Sequence, residues 1–240
     1  MRMAFISDIH GNANALDAVL ADIQNRKVEK VYCLGDIAYR GPEPQRSVDL
    51  IQSLDTFVIK GNADEWVVRG VQQGEVPDGA LPMMRAEQEW ICSHMTQESI
   101  HYLRDLPTEL KLEAEGLLIH AFHATPDSLF DVVLPHESDE LLSTKMMGKG
   151  ADLYVYAHIH RPYIRYIDGK CIMNIGSVGL PFDGLAKASY ALVDIHKGTF
   201  QTSIIRVGYD IKKTIQQFEE SDYPNSAKMI QVLKNARQPS

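Results

Sequence analysis

Carboxylate, amide and imidazole side chains follow several short apolar runs of the sequence. The seven side chains of this kind are Asp8, His10, Asp36, Asn62, His123, His158 and His160. Because residues i and i+2 of an extended segment point to the same side, Asp8 with His10, and His158 with His160, are each expected to converge on one ion. The sequence therefore predicts a metal site built from two Asp, one Asn and four His, without a thiolate ligand.

These donors suit divalent transition metals. Seven ligands are too many for one ion, and an Asp carboxylate can bridge two ions about 3.5–4 Å apart, which is the spacing of two-metal hydrolytic sites. Mixed imidazole and carboxylate ligation favours manganese, iron or zinc over calcium, with magnesium less natural. Two ions bring four positive charges and the two Asp carboxylates return two, so the site keeps a charge of about +2 for a hydroxide and a phosphate.

The elements that must position these side chains alternate between strand and helix. The apolar run Met3–Ser7 predicts a buried strand, residues 14–25 an amphipathic helix, and Val31–Leu34 a second strand. A helix that begins at Pro44 and a strand over Phe57–Lys60 repeat the unit. Such alternation with short connections predicts a layered α/β sheet, whose ligands gather at the carboxyl ends of its strands.

The pattern changes after the third strand. We expect a single domain over residues 1–240 with an inserted helical cap at approximately 64–112. Strand-like runs then resume, and Asp168 with Gly169 is a hairpin signal within a predicted second sheet. Residues 211–234 predict one polar terminal helix.

Composition limits the class of protein and of partner. The 240 residues are 45% hydrophobic and 23% charged, which is typical of a globular protein rather than a disordered or disulfide-built chain. A net charge of -8 disfavours long nucleic acid as a partner and demands a local positive centre for any anionic substrate. Cys33, Cys92 and Cys171 form no CxxC pair, and neither a signal peptide nor a membrane span is predicted, so we expect a cytoplasmic protein without a membrane partner.

Five ordered motifs resemble those of the calcineurin-like metallophosphoesterases. They are SDIHGN at 7–12, GDIAYRG at 35–41, GNAD at 61–64, HATP at 123–126 and AHIH at 157–160. The resemblance extends from Met1 to about Pro181 and is greatest to the bacterial and archaeal phosphodiesterase branch, some of whose members cleave diadenosine tetraphosphate. It implies a four-layer α/β/β/α sandwich with a dinuclear metal centre.

The resemblance also implies a role for each motif residue. The ligands of a first ion would be Asp8, His10 and His160. The ligands of a second ion would be Asn62, His123 and His158. Asp36 would bridge the two ions, Arg40 would contact the phosphate, and Asn62 and His158 would take part in catalysis through the second ion. The implied chemistry is in-line attack by a metal-bridging hydroxide on phosphorus, with no covalent enzyme intermediate.

Three departures from the family pattern bear on the reaction. Ala63 stands where the phosphoprotein phosphatase branch has a histidine that assists the leaving group, which argues against that branch and favours nucleotide or polyphosphate esters. Ala124 and Ala157 replace glycines, with modest effect expected where φ is negative. The fourth strand offers His120 as well as His123, and spacing alone does not choose between them. The likeness of HATP to the family's HGSP favours His123.

Three alternatives to a phosphodiesterase remain. Two are a phosphomonoesterase and a phosphoprotein phosphatase of the same fold. The third is a non-catalytic metal-binding scaffold, as in the retromer subunit that resembles these enzymes, and its signature would be eroded ligands. Because all seven ligands are present, we expect a dinuclear manganese, iron or zinc phosphodiesterase that acts on a small phosphate ester, with nucleotides among the candidates.

Overall fold

The computed structural model describes residues 1–148 and 150–238 and contains two five-stranded sheets. Within these residues the strands are β1 Arg2–Ile6, β2 Lys30–Cys33, β3 Phe57–Val58, β4 Glu109–Ala114, β5 Leu117–Phe122, β6 Leu153–Tyr156, β7 Tyr163–Ile167, β8 Lys170–Asn174, β9 Ala188–His196 and β10 Thr199–Val207. The helices are α1 Ala13–Asn25, α2 Pro44–Ser53, α3 Asn62–Arg69, α4 Leu81–Ser93, α5 Gln97–Asp105, α6 Asp139–Met146, α7 Ile211–Glu220 and α8 Ser226–Asn235.

Parallel strands of the first sheet bring three loops to one edge. Its order is β10-β9-β1-β2-β3, with β1 parallel to β2 and β2 parallel to β3. The register pairs Met3 with Lys30 and Ile6 with Cys33, so β1 and β2 end level with each other. The segments that follow the first three strands therefore leave the sheet on the same side.

The second sheet is arranged in the same way. Its order is β4-β5-β6-β8-β7, and β5, β6 and β8 run parallel at its centre. The antiparallel strands β4 and β7 form the two edges. The loops after β5 and β6 thus leave from one edge of this sheet.

Apolar side chains between the layers hold the two sheets and their helices together. Phe5 of β1 and Val155 of β6 belong to the buried cluster between the sheets. Leu16 of α1 packs in the cluster on the outer face of the first sheet, and Leu142 of α6 packs in the cluster on the outer face of the second. The prediction of a four-layer α/β/β/α sandwich is confirmed.

Two local predictions differ from the structure. The helical segment between β3 and β4 comprises α3, α4 and α5 and ends at Asp105, because residues 109–112 belong to β4 rather than to the cap. The prediction of a single terminal helix over residues 211–234 is wrong. The segment is split into α7 and α8, and the break contains Pro224, whose ring cannot continue a helical hydrogen-bond ladder. In residues 1–148 and 150–238, none of the helices has the length and apolar character to cross a membrane.

Candidate metal centre

Loops from the facing edges of both sheets bring the predicted ligands together. Asp8 and His10 follow β1, Asp36 follows β2, and Asn62 begins α3 just after β3. From the second sheet come the three remaining histidines, His123, His158 and His160. All seven side chains are buried apart from that of His158, which is half-buried.

Left-handed backbone, rather than extended strand, aims these side chains. Asp8 and His10 have φ values of 52° and 49°, and His158 and His160 have 66° and 55°. The expectation that each pair converges by strand alternation is therefore wrong, since both pairs lie in turns beyond the ends of their strands. A left-handed residue that is not glycine costs about 1–2 kcal/mol. We name each loop after the strand that it follows. Asp8 N–H donates to Gly35 O of the β2 loop at 3.0 Å, and His10 N–H donates to Asp36 O at 2.9 Å. These two hydrogen bonds hold the first pair in this conformation.

The first group of donor atoms consists of Asp8 Oδ1, His10 Nε2 and His160 Nε2. The Nδ1–H of His10 donates to Tyr39 O at 2.8 Å, and the Nδ1–H of His160 donates to Leu180 O at 2.5 Å. A neutral ring that donates through Nδ1 carries its lone pair on Nε2, and the two Nε2 atoms lie 3.1 Å apart. Asp8 Oδ1, buried without a hydrogen bond from the described residues, lies 3.3 Å from His160 Nε2. Such a group fits a cation.

The second group of donors surrounds the Asn62 amide oxygen. His123 Nε2 lies 3.0 Å and His158 Nδ1 lies 2.8 Å from Asn62 Oδ1. The Nδ1–H of His123 donates to Leu34 O at 2.7 Å, so Nε2 is the atom that the neutral ring would offer to a metal ion. Atoms bound to one ion at about 2.1 Å lie about 3 Å apart when adjacent, so these separations suit a shared ion.

One oxygen of Asp36 lies between the two groups. Asp36 Oδ2 is 3.7 Å from His10 Nε2 and 3.4 Å from His123 Nε2. Its other oxygen, Oδ1, accepts from Ala63 N–H at 2.7 Å, which fixes the orientation of the carboxylate. Asp36 Oδ2 thus lies within 3.7 Å of a ring nitrogen from each group.

Burial and charge give the imidazoles different protonation states. Burial lowers the pKa of His10 to about 4, assisted by the nearby His160 ring. Burial likewise lowers the pKa of His158 to about 4. Burial alone would lower the pKa of His123, but the Asp36 carboxylate outweighs it and raises that pKa to about 9. In turn, the neighbouring imidazoles hold the pKa of Asp36 below its usual value despite burial. At neutral pH the rings of His10 and His158 are therefore neutral, while His123 holds a proton next to the Asp36 carboxylate.

Asp64 anchors the loop that carries Asp36, a role that its motif did not assign. Its carboxylate accepts from the N–H groups of Asp36, Ile37 and Gly61 at 2.7, 2.9 and 2.9 Å. Burial and the adjacent Asp36 raise the pKa of Asp64 to about 7. The detectable signal was a carboxylate at the third residue of a helix, where it can reach back to free backbone N–H groups.

The β2 loop passes so close to the β3 loop that Gly35 cannot carry a side chain. Gly35 has a φ of +92°, and a Cβ there would lie 2.2 Å from Gly61 N. Ser177 supports the β1 loop from the other side, because its hydroxyl donates to Asp8 O at 2.8 Å and accepts from Leu180 N–H at 2.7 Å. These bonds give Ser177 a structural role at the backbone.

His120 and Arg40, which the sequence analysis also singled out, do not belong to either group of donor atoms. His120, the alternative to His123, faces Glu109 across the β4–β5 pair, with 2.9 Å between Nε2 and Oε2. Arg40 contributes no ligand atom. Its Nε lies 3.5 Å from a carboxylate oxygen of Glu87, a residue of α4. Sequence reasoning missed Glu87, although a charged residue on the helix face of Met84 was a detectable signal.

Comparisons with known proteins agree with this geometry. Residues 1–198 match the calcineurin-like phosphoesterase superfamily domain. An uncharacterized protein of Methanocaldococcus jannaschii is 32% identical in an alignment 244 positions long, which covers 92% of this chain and 93% of that protein. The crystal structure of a hypothetical protein from Pyrococcus horikoshii has a TM-score of 0.86 at 26% identity and covers 99% of each chain. That of a metallophosphoesterase from Sphaerobacter thermophilus has a TM-score of 0.79 at 25% identity and covers 98% of this chain and 99% of its own.

Proposed function

The chain belongs to the calcineurin-like phosphoesterase superfamily and is a metal-dependent phosphoesterase, and from this premise we propose that it is a dinuclear phosphodiesterase acting on nucleotide-type phosphate or polyphosphate esters. The observation that carries the proposal is the position of Asp36 Oδ2, within 3.7 Å of a ligand atom in each donor group. A shared carboxylate oxygen is the arrangement that holds two ions at bridging distance.

The donor set fits two divalent transition metal ions. We assign the first ion to Asp8, His10 and His160 and the second to Asn62, His123 and His158. Asp36 is assigned to both. Bound in these groups, the ions would lower the pKa of a water molecule and neutralise charge on the phosphate oxygens. The imidazole and carboxylate donors, with no thiolate among them, favour manganese, iron or zinc.

The chain's own residues prepare this site before any ion arrives. Hydrogen bonds from Nδ1 to backbone oxygens fix the tautomer and the ring orientation of His10, His123 and His160. His158 differs, since its Nδ1 faces Asn62 and its half-buried ring forms part of the accessible wall of the site. We assign it a ligand role on the side from which substrate enters.

The residues beside the donors favour esters with good leaving groups. Ala63 is buried next to Asp36 and carries no group that can transfer a proton. An alkoxide leaving group would need such a donor, whereas a phosphate or nucleotide leaving group is stable as an anion. This supports a phosphodiesterase or polyphosphate esterase over a phosphoprotein phosphatase. Cys33 and Cys171 are buried free thiols, which supports placing the protein in the reducing cytoplasm.

The test compares hydrolysis of bis-p-nitrophenyl phosphate and p-nitrophenyl phosphate by the purified chain with Mn²⁺ and after chelation. We expect faster diester cleavage that chelation abolishes. Asp36→Asn should lower diester turnover at least about 100-fold, because the shared carboxylate oxygen loses its charge. Asp168→Asn, an exposed carboxylate in the β7–β8 turn, is the matched control and should leave turnover unchanged.

The outcomes separate the alternatives. Faster monoester cleavage would favour a phosphomonoesterase. Metal binding without turnover of either ester, or of a panel of dinucleoside polyphosphates, would favour a non-catalytic scaffold. Equal activity of Asp36→Asn and the unmodified chain would contradict the assignment of Asp36 to both ions.

A further inference from the structure

A buried carboxylate of the inserted segment contacts the one predicted phosphate-binding residue. Glu87 of α4 is fully buried. Its Oε2 lies 3.5 Å from Arg40 Nε and 3.4 Å from the Tyr39 hydroxyl, which donates at the shorter distance of 2.8 Å to Met84 O. Its Oε1 accepts from Asn225 Nδ2 at 2.8 Å. Glu87 therefore joins the β2 loop, the inserted helices and the segment between α7 and α8.

Charge makes Arg40 the dominant partner of this carboxylate. A buried carboxylate without a cation costs several kcal/mol, and among the described residues Arg40 supplies the one cation within ion-pair distance of Glu87. Burial alone would lower the pKa of Arg40, but Glu87 outweighs it and the pKa is raised above its ordinary value. The guanidinium stays charged and is drawn towards α4.

The pairing with Glu87 leaves other N–H groups of the Arg40 guanidinium available to bind an anion. Arg40 Nε is buried, yet the whole side chain is 32% exposed, so the accessible surface belongs to its other atoms. Over the part of the chain that the structure describes, no second acidic side chain pairs with Arg40. Arg40 Nε thus lies at ion-pair distance from Glu87 without a hydrogen bond from the described residues, while the planar group keeps further donors for an anion.

The backbone of Arg40 is fixed with respect to the metal donors. The preceding residue, Tyr39, accepts the Nδ1–H of His10 at its carbonyl oxygen. Arg40 itself has a left-handed φ of 75°, and Gly41 packs so tightly that a Cβ there would lie 2.0 Å from His10 O. The backbone position of Arg40 is therefore fixed by contacts with the His10 segment, and Glu87 is the charged group that orients its side chain.

We propose that Glu87 is a positioning residue that holds Arg40 for the phosphate of the substrate, so that α4 of the inserted segment takes part in phosphate binding. This inference rests on the proposed function, because it takes the bound anion to be a phosphate ester at the metal centre. Asn225, which donates to the other oxygen of Glu87, completes the arrangement from the C-terminal segment.

The test measures binding of inorganic phosphate to the Mn²⁺-loaded protein by calorimetry, together with KM and kcat for bis-p-nitrophenyl phosphate. We expect Glu87→Gln to weaken phosphate binding and to raise KM about fivefold to tenfold, with kcat changed less than about threefold. In the Arg40→Ala background the same substitution should have no further effect, because its action passes through the guanidinium.

A matched control removes a comparable ion pair of the same segment. Glu75 accepts from Trp66 Nε1 and pairs with Arg69, away from Arg40. Glu75→Gln should leave phosphate affinity unchanged. Should Glu87→Gln fail to fold, Asn225→Ala changes a half-buried residue instead and should weaken phosphate binding about twofold to threefold.

Three results would overturn the inference. They are unchanged phosphate affinity in a folded Glu87→Gln protein, equal losses in Glu87→Gln and Glu75→Gln, and additive losses in Glu87→Gln and Arg40→Ala. Failure of the proposed function looks different. In that case the unmodified protein would show no metal-dependent turnover of the diester, and the inference would fall with it.

Discussion

Metal binding should displace a proton from His123. The Asp36 carboxylate raises the pKa of His123 to about 9 against the opposing effect of burial, with 3.4 Å between His123 Nε2 and Asp36 Oδ2. At pH 7, two units below that pKa, about 99% of metal-free molecules hold the proton. A metal ion on Nε2 must replace it, so we expect release of about one proton from this ring. Apparent metal affinity should rise about tenfold per pH unit from pH 7 and level off near pH 9.

The neighbouring rings do not contribute to this release. Burial lowers the pKa values of His10 and His158 to about 4, so both are already neutral at pH 7. Titration of Mn²⁺ into chelator-treated protein, in two buffers of different ionisation enthalpy, counts the protons released. The His123→Gln variant cannot release a proton from residue 123, but it still releases any proton that metal-bound water loses. The unmodified protein should therefore release about one proton more than the variant at saturating metal. Equal proton counts, or an affinity independent of pH between 6.5 and 8.5, would refute the reasoning.

Three further substitutions test the site and its frame. His123→Gln should lower metal-dependent diester turnover at least about 100-fold, whereas His120→Gln should change it less than about threefold, and similar losses in both would contradict the ligand assignment. Gly35→Ala should lower the free energy of unfolding, measured by urea denaturation, by at least about 3 kcal/mol, because the new Cβ would clash with backbone atoms. Gly74 has a similar φ but lies in open space, so Gly74→Ala should lower it by about 1 kcal/mol. Ser177→Ala should keep turnover within about tenfold, and complete loss would instead indicate a nucleophile.

The order of strands and the grouping of polar residues after them could be predicted from the sequence. Short apolar runs such as Met3–Ser7 have few stable arrangements in an α/β protein, and parallel strands necessarily end at a common edge. Asp36 and Asn62 could therefore be placed near Asp8 without knowledge of any distance. Ala124 and Ala157, which stand where the family has glycine, do not have positive φ values, as the motif comparison required.

The local backbone of the site could not be predicted in this way. Asp8 and His160 adopt positive φ because hydrogen bonds from distant segments hold them there, and no pattern of neighbouring residue types encodes such bonds. The pairing of Arg40 with Glu87 joins residues 47 positions apart in the sequence, and it depends on how α4 packs against the β2 loop. Strand β4, by contrast, was detectable, since Glu109, Lys111 and Glu113 alternate with apolar residues, and this two-residue period is typical of a half-buried strand.

Several features of the donor site are unfavourable unless a cation lies among them. Five of the seven proposed ligand residues adopt left-handed backbone, each at a cost of about 1–2 kcal/mol. The Nε2 atoms of His10 and His160 lie 3.1 Å apart, and one oxygen of Asp8 is buried without a hydrogen bond from the described residues. Backbone hydrogen bonds and the close approach of Gly35 to the β3 loop hold the loops that carry these groups in place. The fold therefore spends stability on a preformed cation site, and bound ions would return it by binding the folded state alone.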